Sequence, residues 1–309
     1  MPSWIECAIN VSEGRSLKTV GGIANAIEKT RGVALLDVSS DPDHHRSVLT
    51  FVGRGRDLLP ACLRGAEEAI RRIDLNRHRG VHPRIGAVDV IPFIPLWSTP
   101  MSDCIELARR LGKRIAQELD LPVYLYGEAA ADPLRRELSW IRQGGFESLR
   151  ETIASDPERR PDFGPAKLHP TAGAVAVGAR GILIAFNVVL KNADLEIARR
   201  IARRIRESSG GLPAVKALGL VLESRGLAQV SMNLTDDRKT SPKAVFDRIE
   251  SEARREGAEV LGSEIVGLAP RRALGENPVQ KLKLESFRPE QVLETALEIA
   301  LSDRESREE

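Results

Sequence analysis

The stretch HRGVHPRIGAVDVIPFIPL, residues 78–96, places a histidine on a constrained loop just before a buried strand. Histidine titrates near neutral pH, so His82 can take a proton from an attacking amine and return it to a leaving group. Pro83 restricts the backbone of His82, while Gly80 allows a turn before it and Gly86 allows close approach by another group. Two interpretations stay open: a catalytic acid–base facing a crevice, and a hydrogen-bonded structural histidine.

A metal site is a second interpretation of the same histidines. His78 and His82 are four residues apart, and His44 and His45 could approach from a neighbouring loop. A glycine and a proline within the 78–83 interval disfavour a helix there, and no HExxH sequence accompanies it. We therefore expect no metal ion.

Composition narrows the class of protein. The chain has 309 residues, 42% of them hydrophobic, which is enough for a buried core and for two domains of ordinary size. Lys and Arg number 46 against 44 Asp and Glu, and aromatics make up only 4%, so neither nucleic acid nor a membrane is expected as a partner. No apolar run approaches the roughly 20 residues of a membrane-spanning helix. Three cysteines without a CxxC pair or a secretory signal favour a cytoplasmic protein, and we expect buried thiols at Cys7, Cys62 and Cys104.

One order of elements, strand–helix–strand–strand–helix–strand, occurs twice. Hydrophobic periodicity predicts the first run as strands at about 4–10, 33–39, 46–53 and 87–94 with helices at about 16–29 and 58–73. It predicts the second run as strands at 182–190, 217–222, 227–234 and 259–266 with helices at 194–206 and 242–255. Two βαββαβ runs predict an α+β fold of duplicated ferredoxin-like subdomains, each with a four-stranded sheet and one open face, and a ligand groove or tunnel between the sheets.

Local signals in the second run are clear. Gly226 suits the turn of a hairpin, and Ser241 followed by Pro242 is typical of a helix start. In the strand 227–234, Gln229, Ser231 and Asn233 alternate with apolar residues. These polar side chains either meet water or line a cleft.

A helix at about 101–118, a short strand at 122–127 and a long Pro- and Gly-rich loop at 156–181 connect the two runs. Loops of this length are usually functional or disordered, and the small and apolar residues of this one argue against disorder. Residues 289–301 predict a closing helix, and SDRESREE predicts a solvated tail. We place the domain limits at 1–178, 179–285 and 286–309.

Eight sequence blocks, in order and over nearly the whole chain, resemble the glutamate formimidoyltransferase family, including the transferase half of formimidoyltransferase-cyclodeaminase. The blocks are ECAINVSEGR (6–15), LLDV (35–38), HRGVHPRIGAVDVIPFIPL (78–96), PVYLYGEAA (122–130), PDFGPAKLHPTAGAVAVGAR (161–180), LIAFNVVL (183–190), LAQVSMNL (227–234) and VGLAP (266–270). Eight ordered blocks are more specific than any single short motif.

The resemblance implies an enzyme of histidine degradation that transfers a one-carbon group. Its formimino donor would be N-formimino-L-glutamate and its acceptor substrate N5 of tetrahydrofolate, with 5-formiminotetrahydrofolate and L-glutamate as products. It also implies His82 as the catalytic residue, a homodimer, and no metal. The folate-binding residues implied by the resemblance are Gly164, Pro165, Ala166, Lys167, Leu168, His169, Pro170, Thr171, Ala172 and Gly173. The sequence contains no cyclodeaminase half, so we expect a monofunctional transferase.

Both substrates carry carboxylates, and basic side chains should line their approach. Our candidates are Arg84, Lys167 and Arg180. The family pattern has a carboxylate directly after LLDV, where this chain has Ser39. We expect Asp41 or Asp43 to assist His82 instead.

Two other functions fit part of the pattern. One is a folate-binding or regulatory homologue without turnover, which the retained block around His82 disfavours. The other is a related one-carbon transferase with another formimino or formyl donor. It stays open because the folate loop here ends in PTAG, where the family often has an aromatic residue.

Overall fold

A computed structural model describes residues 4–308, with the backbone alone for residues 301 and 303–308. The chain divides into two compact units, residues 1–180 and 181–309. Each unit combines one sheet with helices, which confirms the α+β class. The predicted domain limit lay between residues 178 and 179, two residues before the division between the units.

The first unit contains a six-stranded sheet in the order β2-β3-β1-β4-β6-β5. Its strands are β1 (Trp4–Val11), β2 (Val33–Asp41), β3 (Arg46–Arg54), β4 (Val88–Pro95), β5 (Val123–Gly127) and β6 (Val175–Ala179). The first four pair antiparallel, whereas β6 runs parallel to both β4 and β5. The edge of β4 is therefore continued by two strands that lie outside the βαββαβ run.

The prediction of a four-stranded first sheet was wrong. Residues 175–179, which the sequence analysis assigned to a long loop, form β6 and fill the space between β4 and β5. All five residues are buried. A five-residue strand of small and β-branched residues has too little periodicity to be separated from a loop, and its identity comes from the two strands it joins.

Helices α1 (Leu17–Glu28), α2 (Gly55–Arg72) and α3 (Met101–Leu119) share one apolar core with the first sheet. Ser16 caps α1, its hydroxyl accepting a hydrogen bond from the Thr19 amide at 3.2 Å. Two short helices, α4 (Leu138–Ile141) and α5 (Gly145–Thr152), were not predicted. This unit also contains 3₁₀ helices at Pro133–Arg136 and Pro157–Arg159.

The second unit contains an antiparallel sheet in the order β10-β7-β9-β8. Its strands are β7 (Ile184–Lys191), β8 (Val215–Leu222), β9 (Leu227–Leu234) and β10 (Glu259–Val266). Its helices are α6 (Leu195–Ile205), α7 (Pro242–Arg255), α8 (Arg271–Leu274), α9 (Pro278–Leu282) and α10 (Leu293–Glu308), with 3₁₀ turns at Glu207–Ser209 and Pro289–Gln291. The order of last, first, third and second strand also holds for β1–β4 of the first sheet.

The local signals of the second unit are confirmed. Gly226 has a φ of +60°, and the Ser241 hydroxyl accepts from the Ala244 amide at 3.2 Å to begin α7. The alternating polar residues of β9 do not share one environment. Asn233 is exposed, but Gln229 is only 1% exposed, so of the two alternatives, contact with water does not hold for Gln229.

The C-terminal segment is more helical than predicted. Residues from 302 onward, predicted as a solvated tail beyond the closing helix, continue α10 to Glu308, while Glu309 lies outside the described residues. Within residues 4–308, no helix has the length and apolar character needed to cross a membrane.

Candidate active site

The loop that carries His82 packs against the loop that joins β2 to β3. A Cβ atom added to Gly80 would lie 2.6 Å from the His44 carbonyl oxygen, so only glycine fits there. The amide of Val81 donates to the carbonyl of Asp43 at 3.3 Å. Gly80 is therefore needed because two backbone segments meet at this point.

Residues 85–87 are fixed from two sides. An added Cβ atom at Gly86 would lie 1.8 Å from the Ala174 carbonyl oxygen, and that carbonyl belongs to the backbone just before β6. Ser12, directly after β1, donates its hydroxyl proton to the Gly86 carbonyl at 2.7 Å. His82 is thus held between the β2–β3 loop on one side and the β1 and β6 ends on the other.

His82 is half-buried, and its Nε2 atom is hydrogen-bonded to Nη1 of Arg46. Burial and the nearby charges of Arg46, Arg142 and His44 lower the pKa of His82 well below its ordinary value, against a smaller opposing effect of the Pro83 backbone. The imidazole is therefore neutral at pH 7. Because a guanidinium can only donate, Nε2 accepts this hydrogen bond.

Arg46 begins β3, directly across the hairpin from Asp41. Burial and the charge of Arg142 lower the pKa of Arg46 to about 10, although Asp89 and Asp41 oppose this change. Arg46 still carries its proton at neutral pH and acts as a donor toward His82.

A carboxylate–imidazole pair lies beside His82. Asp41 Oδ2 is 2.7 Å from Nδ1 of His44, and the ring centroid of His44 is 6.2 Å from that of His82. Burial raises the pKa of Asp41, but hydrogen bonds from the side chain and amide of His44 and from the amide of Asp43 outweigh it and leave that pKa lowered. Asp41, one of the two predicted carboxylates, is therefore paired with an imidazole whose ring lies beside that of His82.

His45 and His78 lie close to each other and are joined by a hydrogen bond to the backbone. Nε2 of His78 is 2.9 Å from the His45 carbonyl oxygen, and the two rings are 4.4 Å apart. Burial is the main cause that lowers the pKa of His78 to about 4, and burial also lowers the pKa of His45. No helix passes through residues 78–82, and the described residues contain no group of three or more His, Cys, Asp or Glu side chains placed to hold a metal.

The predicted basic contacts differ in their surroundings. Arg84 lines the same concave site as His82, but its guanidinium forms a two-pronged ion pair with Glu147 at 2.8 and 3.1 Å. Arg180 follows β6, where its amide donates to the Phe93 carbonyl at 3.1 Å. Burial raises the pKa of the Glu6 carboxyl to about 7, and the nearby charge of Arg180 opposes this rise.

The predicted folate loop has a buried end and an exposed end. Gly164, Ala166, Lys167 and Pro170 are exposed, whereas Leu168, Ala172 and Gly173 are buried and Pro165, His169 and Thr171 are half-buried. His169 closes a tight turn, because its Nδ1 atom accepts from the Ala172 amide at 3.0 Å.

The buried end of this loop joins the segment that follows His82. The amide of Ala87 donates to the Ala172 carbonyl at 2.9 Å, and the amide of Ala174 donates to the Ile85 carbonyl at 3.0 Å. The structure therefore brings Ala172 and Gly173 next to residues 85–87, while Gly164 lies near Leu121 and Pro122 at the start of β5.

Sequence reasoning missed Arg46 and Asp89. Asp89 is 2% exposed, accepts from the Ile85 amide at 2.8 Å and pairs with Arg142. The HHR triplet at 44–46 was a usable signal for Arg46, because its arginine begins a strand next to two histidines. No sequence signal pointed to Asp89, because a single acidic residue in an apolar strand can also face water.

Comparison with known proteins places the chain in a family of transferases. Models of the formiminotransferase domain match it twice, as the N-terminal subdomain over residues 4–180 and as the formiminotransferase domain over residues 185–298. The chain belongs to the formiminotransferase family.

Curated relatives support the same family. A protein of Thermoplasma acidophilum named glutamate formimidoyltransferase is 45% identical, covering 96% of this chain and 98% of its own length. One of Streptococcus pyogenes with the same name is 42% identical, covering 93% and 96%. Formimidoyltransferase-cyclodeaminase of Mus musculus is 43% identical over 89% of this chain and 51% of its own length.

Proposed function

We propose that this chain moves the formimino group of N-formimino-L-glutamate to N5 of tetrahydrofolate, releasing L-glutamate during histidine degradation. The observation that carries the proposal is the 42% and 45% identity, over nearly the whole chain, to proteins named glutamate formimidoyltransferase. Tetrahydrofolate is the acceptor substrate in this reaction.

We propose His82 as the general base. The lone pair of N5 attacks the formimino carbon and forms a new carbon–nitrogen bond, while His82 takes the N5 proton as that nitrogen becomes cationic. The proton then passes to the glutamate nitrogen, which leaves with the electron pair of the breaking bond. A neutral imidazole is needed for the first step, and the lowered pKa of His82 provides it at pH 7.

Arg46 makes proton abstraction by His82 depend on the presence of a substrate carboxylate. Its guanidinium occupies the Nε2 lone pair of His82. Charge-assisted hydrogen bonds to a carboxylate are stronger than those to a neutral imidazole, so a substrate carboxylate draws Arg46 away. Neutralising the Arg46 charge also raises the pKa of His82 and makes it a better base.

We also propose residues 164–173 as the folate-binding loop. The hydrogen bonds that the Ala172 carbonyl accepts from Ala87 and that the Ala174 amide donates to Ile85 support this role, because they couple the loop to the segment that carries His82. Lys167 is exposed and suits a folate carboxylate. Arg84 could serve a second carboxylate by exchanging its Glu147 partner.

Further carboxylate and cation roles follow from the same site. We propose that Asp41 assists His82 through the His44 imidazole, whose ring centroid is 6.2 Å from that of His82, and that Asp43 supports Asp41 through its amide. Arg180 remains a proposed substrate contact.

The finer assignments on fold and assembly are proposals as well. The shared strand order of β1–β4 and β7–β10 supports duplicated ferredoxin-like subdomains, with domain limits at 178 and 285. The ligand groove or tunnel stays a prediction. We propose a homodimer, as in the family pattern, and a cytoplasmic location, because the three cysteines are odd in number and contain no CxxC pair. We propose neither a nucleic-acid nor a membrane partner.

The test is to mix the purified chain with tetrahydrofolate and N-formimino-L-glutamate and to follow glutamate release. Turnover that requires both substrates supports the proposal. Folate binding without turnover would favour the regulatory homologue, and turnover with another formimino or formyl donor alone would favour the related transferase.

A further inference from the structure

The sheet of the second unit carries a polar cluster on one face. Its core side chains, such as Phe186 and Val230, point toward helices α6 and α7. Asn187 of β7, Gln229 of β9 and Glu264 of β10 alternate with those residues and so occupy the opposite face. We name these three residues the amide–carboxylate cluster.

Hydrogen bonds fix the orientation of both amides. Nδ2 of Asn187 and Nε2 of Gln229 donate to the same oxygen, Oε1 of Glu264, at 2.8 and 3.3 Å. A carboxylate accepts hydrogen bonds and does not donate them, so each amide must turn its NH₂ group toward Glu264. Each amide oxygen therefore points away from the carboxylate.

Both of these amide oxygens are buried acceptors without a donor. Asn187 is 4% exposed and Gln229 is 1% exposed. Neither Oδ1 of Asn187 nor Oε1 of Gln229 has a hydrogen-bond partner in the part of the chain that the structure describes. Buried polar groups in folded proteins are almost always paired, and two orphaned acceptors on adjacent strands are destabilising.

We propose that the amide–carboxylate cluster binds the N–H edge of a substrate. The two amide oxygens are the unpaired acceptors, and Glu264, which holds both NH₂ groups, adds one negative charge next to them. The cluster suits a planar, neutral or cationic group that presents adjacent N–H donors, such as an amidine or a 2-aminopyrimidinone edge.

The inference rests on the proposed function, because each of its two substrates contains such a group. Tetrahydrofolate presents the 2-amino group and N3–H of its pterin ring. N-formimino-L-glutamate presents the amidine of its formimino group. Separate titrations with the two substrates distinguish these sources.

The test compares Gln229→Leu and Glu264→Gln with the wild-type chain. Gln229→Leu replaces the amide, with its orphaned acceptor and its NH₂ group, by an apolar side chain of similar size, whereas Glu264→Gln removes the charge and keeps the shape. Asn233→Leu is the matched control, because Asn233 lies on the same strand and the same face but is exposed. Each variant is titrated calorimetrically with 5-formyltetrahydrofolate and with N-formimino-L-glutamate, and its Tm is measured.

A ligand site and a structural role give opposite results. We expect Gln229→Leu to keep or raise Tm while weakening the Kd of one of the two ligands about tenfold. Glu264→Gln should weaken the same ligand by at least that factor, and Asn233→Leu should change neither Kd. Glu264→Gln should fold, because glutamine has nearly the same shape as glutamate. Unchanged Kd values for both ligands in this variant would overturn the inference.

Failure of the proposed function gives a different result. It would be seen as a wild-type chain that neither binds the two ligands nor releases glutamate. Isocytosine, which presents only the 2-aminopyrimidinone edge, then decides the inference by NMR titration. Shifts at Asn187 and Gln229 that vanish in Glu264→Gln would support it, and no shifts in the wild-type chain would overturn it.

Discussion

Replacing Gly86 by alanine is expected to detach the end of the 164–173 loop from the segment that carries His82. The added Cβ atom would lie 1.8 Å from the Ala174 carbonyl oxygen and 2.6 Å from the Val88 carbonyl oxygen. Both contacts are with backbone atoms, so no side-chain rotation can relieve them. The backbone around residue 86 or residue 174 must move.

The magnitude follows from the hydrogen bonds that this movement disturbs. The pairs Ala174 N–Ile85 O at 3.0 Å and Ala87 N–Ala172 O at 2.9 Å flank the new methyl group, and all four residues are buried. A buried backbone group left without a partner costs about 1–3 kcal/mol, and partial relaxation recovers some of this. We expect the free energy of unfolding to fall by about 2–4 kcal/mol.

Urea unfolding of Gly86→Ala and Gly21→Ala, with titration of 5-formyltetrahydrofolate, measures this effect. Gly21 lies in α1, where an added Cβ atom meets nothing within 4 Å, so alanine there should raise stability by up to about 1 kcal/mol. Gly86→Ala should also weaken folate binding, because the loop loses its anchor. Wild-type stability and affinity in Gly86→Ala would refute the reasoning.

Three further predictions concern titrating groups. Burial lowers the pKa of His78 from 6.5 to about 4, so between these two pH values the unfolded chain binds a proton that the folded chain does not. Acidification through this range should therefore reduce the free energy of unfolding by about 1 kcal/mol per pH unit. His78→Gln should flatten this slope in urea titrations, and an unchanged slope would contradict it. With the pKa of Glu6 raised to about 7, stability is lost as the pH rises from 4.5 through that value, so Glu6→Gln should raise Tm more at pH 8 than at pH 5. An equal gain at both pH values would show that burial of Glu6 does not disfavour its charge. Arg46→Gln removes a cation that lowers the pKa of His82, so the acid limb of the pH profile of kcat/KM should move to higher pH, and an unmoved limb would exclude this coupling.

The sequence predicted those helix starts and turns that depend only on neighbouring residues. The start of α7 at Pro242 follows from a capping serine and a proline, and the turn at Gly226 follows from its freedom to adopt a positive φ. The special character of the 78–86 loop was also readable, because Gly86 was predicted to allow close approach by another group. Gly80 was predicted only to allow a turn, and it too lies where two backbone segments meet.

Features that depend on strand register were not readable. Arg46 contacts His82, 36 residues away along the chain, because the β2–β3 hairpin delivers it there. Glu264 meets Asn187 only because β10 pairs with β7 in that register. Strand β6 is defined by the two strands on either side of it, and its own five residues carry no comparable signal.

The most direct test of the central claim is glutamate release by His82→Ala, with the Kd of 5-formyltetrahydrofolate measured on the same preparation. Loss of a general base should lower kcat by about 100-fold or more, while the Kd for folate stays close to that of the wild-type chain. Wild-type turnover in His82→Ala would remove this imidazole from the mechanism and contradict the account.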